Sequence, residues 1–243
     1  MEPARIRLFV EDALTADALV SLDAQAHYLV NVMRLEAGAE IALFNGRDGE
    51  WTARLELAGK RRAVARCLGQ ARPQAMPPDL HLLFAPIKKA RTDFIVEKAT
   101  EMGARAIRPV FTRFTNSERV RPDKLRAHCI EAAEQCGGTF VPDLAEPAPL
   151  DRVLSDWDPA RRLMFCDETS GLMDAGAALR AAGGGPWAIL IGPEGGFAPD
   201  EAARLRALPF AHAVSLGPRI LRADTAAVAA LTVWQQALGD WRV

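Results

Sequence analysis

The sequence carries no excess of charge. Thirty lysines and arginines stand against thirty-one aspartates and glutamates, a formal net charge of −1. Bulk electrostatics therefore gives no argument for a nucleic-acid partner, because phosphate binding draws on clustered cations. No apolar run approaches the roughly 20 residues that a bilayer-crossing helix needs. The opening residues, MEPARIRLFVEDAL, set acids close behind their bases and lack the apolar stretch of a secretory signal, so a cytoplasmic protein is expected. Cysteine is scarce. Cys67, Cys129, Cys136 and Cys166 form no CxxC pair, and His27, His81, His128 and His212 are scattered. Zinc needs four convergent ligands, so no metal is expected and the cysteines read as buried, reduced thiols.

Signatures of phosphate chemistry are missing too. There is no GxxxxGK[ST], which argues against a P-loop, and no GxGxxG after the first strand, which argues against a standard dinucleotide fold. Gly183-Gly184-Gly185 precedes a strand and reads as a linker turn. No Ser/His/Asp or Cys/His arrangement is visible.

What is present is the composition of a globular protein: 243 residues, 49% hydrophobic and 25% charged. At about 100–200 residues per domain this fits one large domain or two modest ones. Charge is unevenly spread. Phe84–Arg126 holds eleven basic residues against five acids, and Asp143–Asp174 holds eight acids against three arginines. The basic stretch serves equally as a face for phosphates or as solvated helix surface.

The first seventy residues alternate with period two between glycine turns. Strands are expected at Arg5–Val10, Ala39–Asn45, Glu50–Leu57 (Trp51, Ala53, Leu55 and Leu57 on one face) and Ala63–Gly69. A helix is expected around Ala24–Arg34, with Leu29, Val32 and Met33 apolar. Short strands closing on themselves give a small barrel. Ala71–Asp79 has three prolines in nine residues and reads as a linker. Beyond it, strands Leu80–Pro86, Ala106–Phe111, Arg162–Asp167, Trp187–Gly192 and Ala213–Gly217 alternate with helices Thr92–Met102, Pro122–Cys136, Asp200–Leu208 and Asp224–Leu238. The stripe of the first helix is Phe94, Ile95, Lys98, Ala99 and Met102; that of the second is Leu125, Cys129, Ala132 and Cys136, so both cysteines are expected to face the core. Alternation of this kind implies an α/β fold, a mostly parallel sheet with helices on both faces. The expected division is a barrel at 1–72, a linker at 73–79 and an α/β domain at 80–243.

Two loops carry the chemistry. IGPEGGF (Ile191–Phe197) follows a buried strand, and its glycines let backbone groups approach a ligand closely. It lies where open α/β sheets bind ligands, outside a strand's carboxyl end. LGPRILRADTA (Leu216–Ala226) follows another strand and opens a helix, whose first amides are free and which Asp224 or Thr225 could cap. Each loop alone fits a glycine-rich connection as well as a ligand site; together they indicate a small-molecule pocket.

The two loops in this order resemble the bacterial small-subunit ribosomal RNA uridine-N3 methyltransferase family, of the SPOUT class. IVEKATEMGA (Ile95–Ala104), IEAAEQCGG (Ile130–Gly138) and AHYLVNVMRLEAG (Ala26–Gly38) resemble further motifs of the same family, so the likeness covers nearly the whole chain. There are departures: Ala223-Asp224-Thr225 stands where the family often has Thr-Glu-Thr, and Gly138 where an arginine is frequent. The resemblance implies a trefoil-knotted C-terminal domain, an N-terminal PUA-like RNA-binding barrel, a homodimer, and S-adenosyl-L-methionine bent between the loops.

From that resemblance the cofactor is expected on Phe165, Cys166, Leu190, Ile191, Gly192, Pro193, Gly195, Gly196, Leu216, Gly217, Ile220, Leu221, Thr225 and Ala226. Arg222 is expected to stabilise negative charge developing on a uracil oxygen, or else to pair with a nearby acid. Glu194 is expected to accept the ring proton or bond the cofactor, or to hold its loop's shape. For RNA, in small-subunit ribosomal RNA or the assembled 30S subunit, Arg5, Arg7, Arg34, Lys88, Lys89, Arg119 and Arg219 are candidates. Two other readings are a related methyltransferase acting on another RNA and a non-catalytic RNA-binding assembly factor.

Overall fold

The computed structural model describes residues 6–59, 61–116, 120–168 and 172–241. The chain forms two compact units, one of Met1–Met76 with Ala133–Val141, the other of Pro77–Ala132 with Pro142–Val243.

The first unit is a curled five-stranded sheet. Its strands are β1 (Arg7–Phe9), β2 (Leu19–Ser21), β3 (Glu40–Phe44), β4 (Glu50–Ala58) and β5 (Ala63–Arg72), in the order β1-β3-β4-β5-β2. β1 runs parallel to β3, and the other pairs are antiparallel. Alternate side chains, among them Leu8, Val20, Ile41, Leu43, Ala53, Leu55 and Ala65, enclose one core. β2 was not expected; its three residues are too few to show a period. The face expected for β4 breaks at Leu57, which is 45% exposed. The register with β5 slips between Leu55 and Leu57, and a slip of one residue turns the following side chains over.

The expected helix at Ala24–Arg34 is replaced by a 3-10 turn, Asp23–Gln25, and a short π-helical stretch, Tyr28–Val32. Only Leu29 of its expected apolar face is buried; Val32 and Met33 are 58% and 39% exposed. One buried anchor cannot hold a straight helix, and Arg34 ends the stretch at a positive φ of 55°.

The second unit is a parallel sheet between helices. Its strands are β6 (Leu80–Phe84), β7 (Ala106–Phe111), β8 (Asp143–Leu144), β9 (Ala148–Pro149), β10 (Arg162–Cys166), β11 (Met173–Asp174), β12 (Trp187–Ile191) and β13 (Ala211–Ser215). They lie in the order β11-β13-β10-β12-β6-β7-β8, with β9 also on β7. Every pairing is parallel. Pro109, inside β7, falls between the short partners at residues 106–107 and 110–111, where a missing N–H leaves no ladder bond unmade. The helices are α1 (Lys89–Glu101), α2 (Pro122–Cys136, of which the part from Ala133 onward belongs to the first unit), α3 (Leu150–Ser155), α4 (Ala175–Ala182), α5 (Pro199–Ala207) and α6 (Ala223–Leu238).

One face of the sheet, with Leu83, Val110, Leu163, Phe165, Ala188 and Leu190, packs on Leu150 of α3 and on Ala202 and Leu205 of α5. α6 contacts β12 and packs on α1 and α4, its alanines allowing close approach. Buried Gln235 of α6 donates to the Met102 carbonyl at 2.6 Å and accepts from the Asp240 amide at 3.1 Å, fixing the helix end to the turn after α1.

Three expectations about exposure need correction. Phe94 is 39% exposed, because the buried stripe of α1 runs through Thr92, Ile95, Val96, Ala99 and Thr100. Cys136, in the last turn of α2, is exposed, whereas Cys129 is buried and its thiol is pushed up to about 11, mainly by burial. Cys166 is half-buried as a whole residue, its thiol being the covered part.

Arg7 also differs from expectation. Its guanidinium binds Glu50 at 2.6 Å and the carbonyls of Ala133, Glu134 and Gly138 at 2.7–2.8 Å, over the Phe44 ring. Four of its five donors are thereby used and its side chain is 13% exposed, so the RNA role expected for it gives way to a structural one within the first unit. Burial alone would raise the Glu50 carboxyl, but hydrogen bonds and charge from Arg72 and Arg7 hold it below the ordinary range. A depressed carboxylate contributes stability that is present above its unfolded pKa and lost as pH falls through its folded value. Unfolding in urea at pH 7 and at pH 3 should therefore show part of the acid loss absent from Glu50→Gln. Arg7→Ala, which leaves Glu50 buried with only Arg72, should cost about 3 kcal/mol at pH 7.

Candidate functional site

Parallel register brings three strand ends level. Phe165 of β10 lies opposite Leu190 of β12 and Ala213 of β13, so Cys166, Ile191 and Ser215 end together at the carboxyl edge. The loops that leave these ends enclose a cavity of about 630 Å³. Such a volume suits a small organic ligand.

One wall is the loop after β12. The Gly196 amide donates to the Pro193 carbonyl at 2.9 Å, closing a turn, and Gly196 sits at a φ of +70°. Gly192 is required for packing: a Cβ there would lie 2.6–3.1 Å from ring carbons of Phe197. That ring meets Phe165 edge-on, centroids 5.1 Å apart, which anchors the loop to the sheet. The Ile191 carbonyl accepts from Ala85, tying the loop's start to the end of β6.

The other wall is 215–223. The Ser215 hydroxyl meets both the amide and the carbonyl of Gly217 at 3.2 Å. Among the described residues, no backbone group from Pro218 to Leu221 bonds another backbone group. Their carbonyls, and the amides of Arg219, Ile220 and Leu221, are left for a ligand or for water. Ile220 is 81% exposed. Arg222 is the residue immediately before α6, exposed and, among the described residues, in no ion pair. The third wall is Cys166, Asp167 and Glu168. Burial, with the Asp167 charge adding to it, pushes the Cys166 thiol up to about 12, so it stays protonated near neutral pH. Asp167 is 6% exposed and paired with Arg206 at 2.6 Å.

Of the residues expected to hold a cofactor, Cys166, Ile191, Gly192, Pro193, Gly196, Leu216, Gly217, Ile220, Leu221 and Ala226 line this cavity, together with Glu194, Arg219 and Arg222. Phe165 and Leu190 do not; they lie fully buried beneath it in the core. Gly195 turns toward Phe114 instead, and Thr225 is exposed on the first turn of α6. Glu194 pairs with Arg91 of α1, which also reaches Asp224 at 3.7 Å. Lys88, just before α1, is exposed, and Lys89 binds Asp93 at 2.6 Å. Arg34 and Arg219 are exposed. Arg5 and Arg119 lie outside the described residues.

Asp167, Glu168, Arg206 and Arg91 were not singled out in the sequence. For the first two a signal existed, since acids directly after a buried strand stand at the carboxyl edge. His81 and His212 sit at the amino ends of their strands. Burial, with the charges of Arg161 and Arg108, lowers His81 to about 4, and burial also lowers His212. Neither is placed as a base for this cavity. Among the described residues, no group of three or more His, Cys, Asp or Glu could hold a metal, and no helix is long and apolar enough to cross a membrane.

Known proteins resemble the chain over most of its length. A family described as RNA methyltransferase domain matches residues 74–235, and one described as RNA methyltransferase PUA domain matches residues 23–67. Ribosomal RNA small subunit methyltransferase E of Rickettsia conorii is 29% identical over 230 residues, 93% of each chain. The protein of that name from Neisseria gonorrhoeae, solved bound to S-adenosyl methionine, superposes with a TM-score of 0.85 at 28% identity, covering 98% of this chain and 99% of its own. A Legionella pneumophila protein in complex with the bound cofactor SAM gives 0.87 at 29%, covering 97% and 98%.

Gly192→Ala should force the Phe197 ring out of its edge-on contact. Urea unfolding is expected to show a loss of about 1–3 kcal/mol.

Proposed function

The chain belongs to the RNA methyltransferase family, and from that membership we propose that it transfers a methyl group from S-adenosylmethionine to the N3 position of a uridine in 16S ribosomal RNA. The observation that carries the proposal is the cavity between 191–197 and 215–223, walled by glycines and by the backbone of Pro218–Leu221, which has no main-chain partner among the described residues, with Arg222 exposed at its rim.

The residues fit the cofactor. Backbone groups of Ile191, Gly192, Gly196, Leu216 and Leu221 would hold the adenosyl part, all five residues lining the cavity. When bound, the cofactor supplies an electrophilic methyl group on a sulfonium. The chain's own contribution is positioning and charge. Uracil N3 is a poor nucleophile until its proton leaves, and negative charge then spreads onto the two carbonyl oxygens that flank it. Arg222, with no acid paired to it among the described residues, would stabilise that charge. Glu194 is held by Arg91 and keeps the loop's shape. Glu168, a lining carboxylate in no ion pair among the described residues, is the acceptor we favour for the proton. The protonated Cys166 thiol offers no nucleophile, which agrees with direct transfer.

Lys88 and Arg219, exposed on the same unit as the cavity, would contact RNA phosphates. Lys89 contributes less, its charge being shared with Asp93. Arg34 would add to RNA binding from the first unit. Ile220 and Met173, 81% and 58% exposed, suit cover by a second copy, in keeping with the homodimer that the resemblance implies.

Nucleoside analysis of small-subunit ribosomal RNA from a strain lacking this chain should show N3-methyluridine lost, restored by the wild type and not by Arg222→Ala. A ribosomal RNA unchanged by the deletion contradicts the proposal. Lys88→Ala should weaken RNA binding and lower the log–log salt slope by about 1, more than Lys89→Ala does. Salt titrations of the two variants that superpose on the wild type would remove both lysines from the RNA face.

A further inference from the structure

One guanidinium joins the two walls of the cavity. Arg91, in the first turn of α1, reaches Glu194 of the loop after β12 through Nη1 and Asp224 of α6 through Nε, the latter at 3.7 Å. Asp224 is two residues beyond Arg222, and its other oxygen accepts the Thr225 amide at 2.9 Å. Topology places the arginine there. β6, which feeds α1, lies parallel to β12 with Phe84 opposite Ile191, so α1 starts beside the loop that leaves β12. Arg91 and Asp224 do not line the cavity, whereas Glu194 does.

We propose that Arg91 is a positioning residue, a fork that sets the spacing between the first loop and the start of α6, and so the width of the cofactor cavity and the place of Arg222. The inference rests on the cofactor reading given above. An arginine suits the task because its planar fork presents donors in two directions, while a lysine offers one charge to one acid at a time. The three side chains are 30%, 46% and 21% exposed, so salt screens the fork in part and the effect is moderate. Nothing in the role requires Arg91 to touch substrate. Its loss acts through the two acids, and where they are absent it has nothing to act on.

Calorimetry of S-adenosylmethionine binding to the full chain tests this. Arg91→Ala should weaken the cofactor about five- to tenfold, and Arg91→Lys should recover part of the loss. In a Glu194→Ala, Asp224→Asn background, Arg91→Ala should change cofactor affinity less than twofold. Thermal melts of the cofactor-free proteins should agree within a few degrees, which a general structural defect would not allow. Equal cofactor affinity in Arg91→Ala and wild type, or a full Arg91→Ala effect in the background lacking both acids, overturns the proposal. A wild type that binds no S-adenosylmethionine overturns the cofactor reading itself, and the fork's role falls with it.

Discussion

Parallel pairing of β10 with β12 on one side and β13 on the other sets three carboxyl ends side by side, and every part of the candidate site leaves from one of them. The pairing is held by side chains buried on both faces. Leu163, Phe165, Ala188 and Leu190 pack toward α3 and α5, while Met164 and Ile189, also fully buried, alternate to the opposite face. Strands covered on both sides have no freedom to slip, so the loops begin from fixed points. Cys166–Glu168, Ile191–Phe197 and Ser215–Ala223 then converge without any of them needing a strong conformational preference of its own.

On that frame the walls are made in different ways. The loop after β12 is packed: Phe197 on Phe165, room for that ring only over a glycine at 192, and a turn closed from Gly196 to Pro193. The segment after β13 is open: among the described residues the backbone groups of Pro218–Leu221 have no main-chain partners, and Ile220 is 81% exposed. A firm wall opposite an unsatisfied one suits a site that recognises its ligand through backbone groups. The ion pairs of Arg91 with Glu194 and Asp224 span the two.

The regular elements were legible where a period had room to repeat. α2 occupies Pro122–Cys136 as its first-turn proline and following Gly137 indicate, and β7 occupies Ala106–Phe111. Short elements were not legible: β2, β8, β9 and β11 have two or three residues each, and α3 has six. β13 begins two residues early, at Ala211, because His212 and Ala213 are only half-buried and the apolar pattern there is weak. Tertiary facts defeated local reading elsewhere, as in the register slip that exposes Leu57 and the carbonyls that engage Arg7. At the site, spacing pointed to the two glycine-bearing loops, and the family likeness supplied the chemistry. Arg91 was invisible for a physical reason: its partners lie 103 residues away in Glu194 and further still in Asp224, and only the sheet order brings them to it.

The account stands on where the methyl donor goes. Crystals of the chain grown with S-adenosylmethionine give the most direct measurement. Density for the adenosyl group between Ile191–Phe197 and Ser215–Ala223, hydrogen-bonded to backbone groups and with its methyl group open toward Arg222, is the predicted result. Density for the donor at any other place on the molecule, or full occupancy with Arg222 turned away and buried, would contradict it.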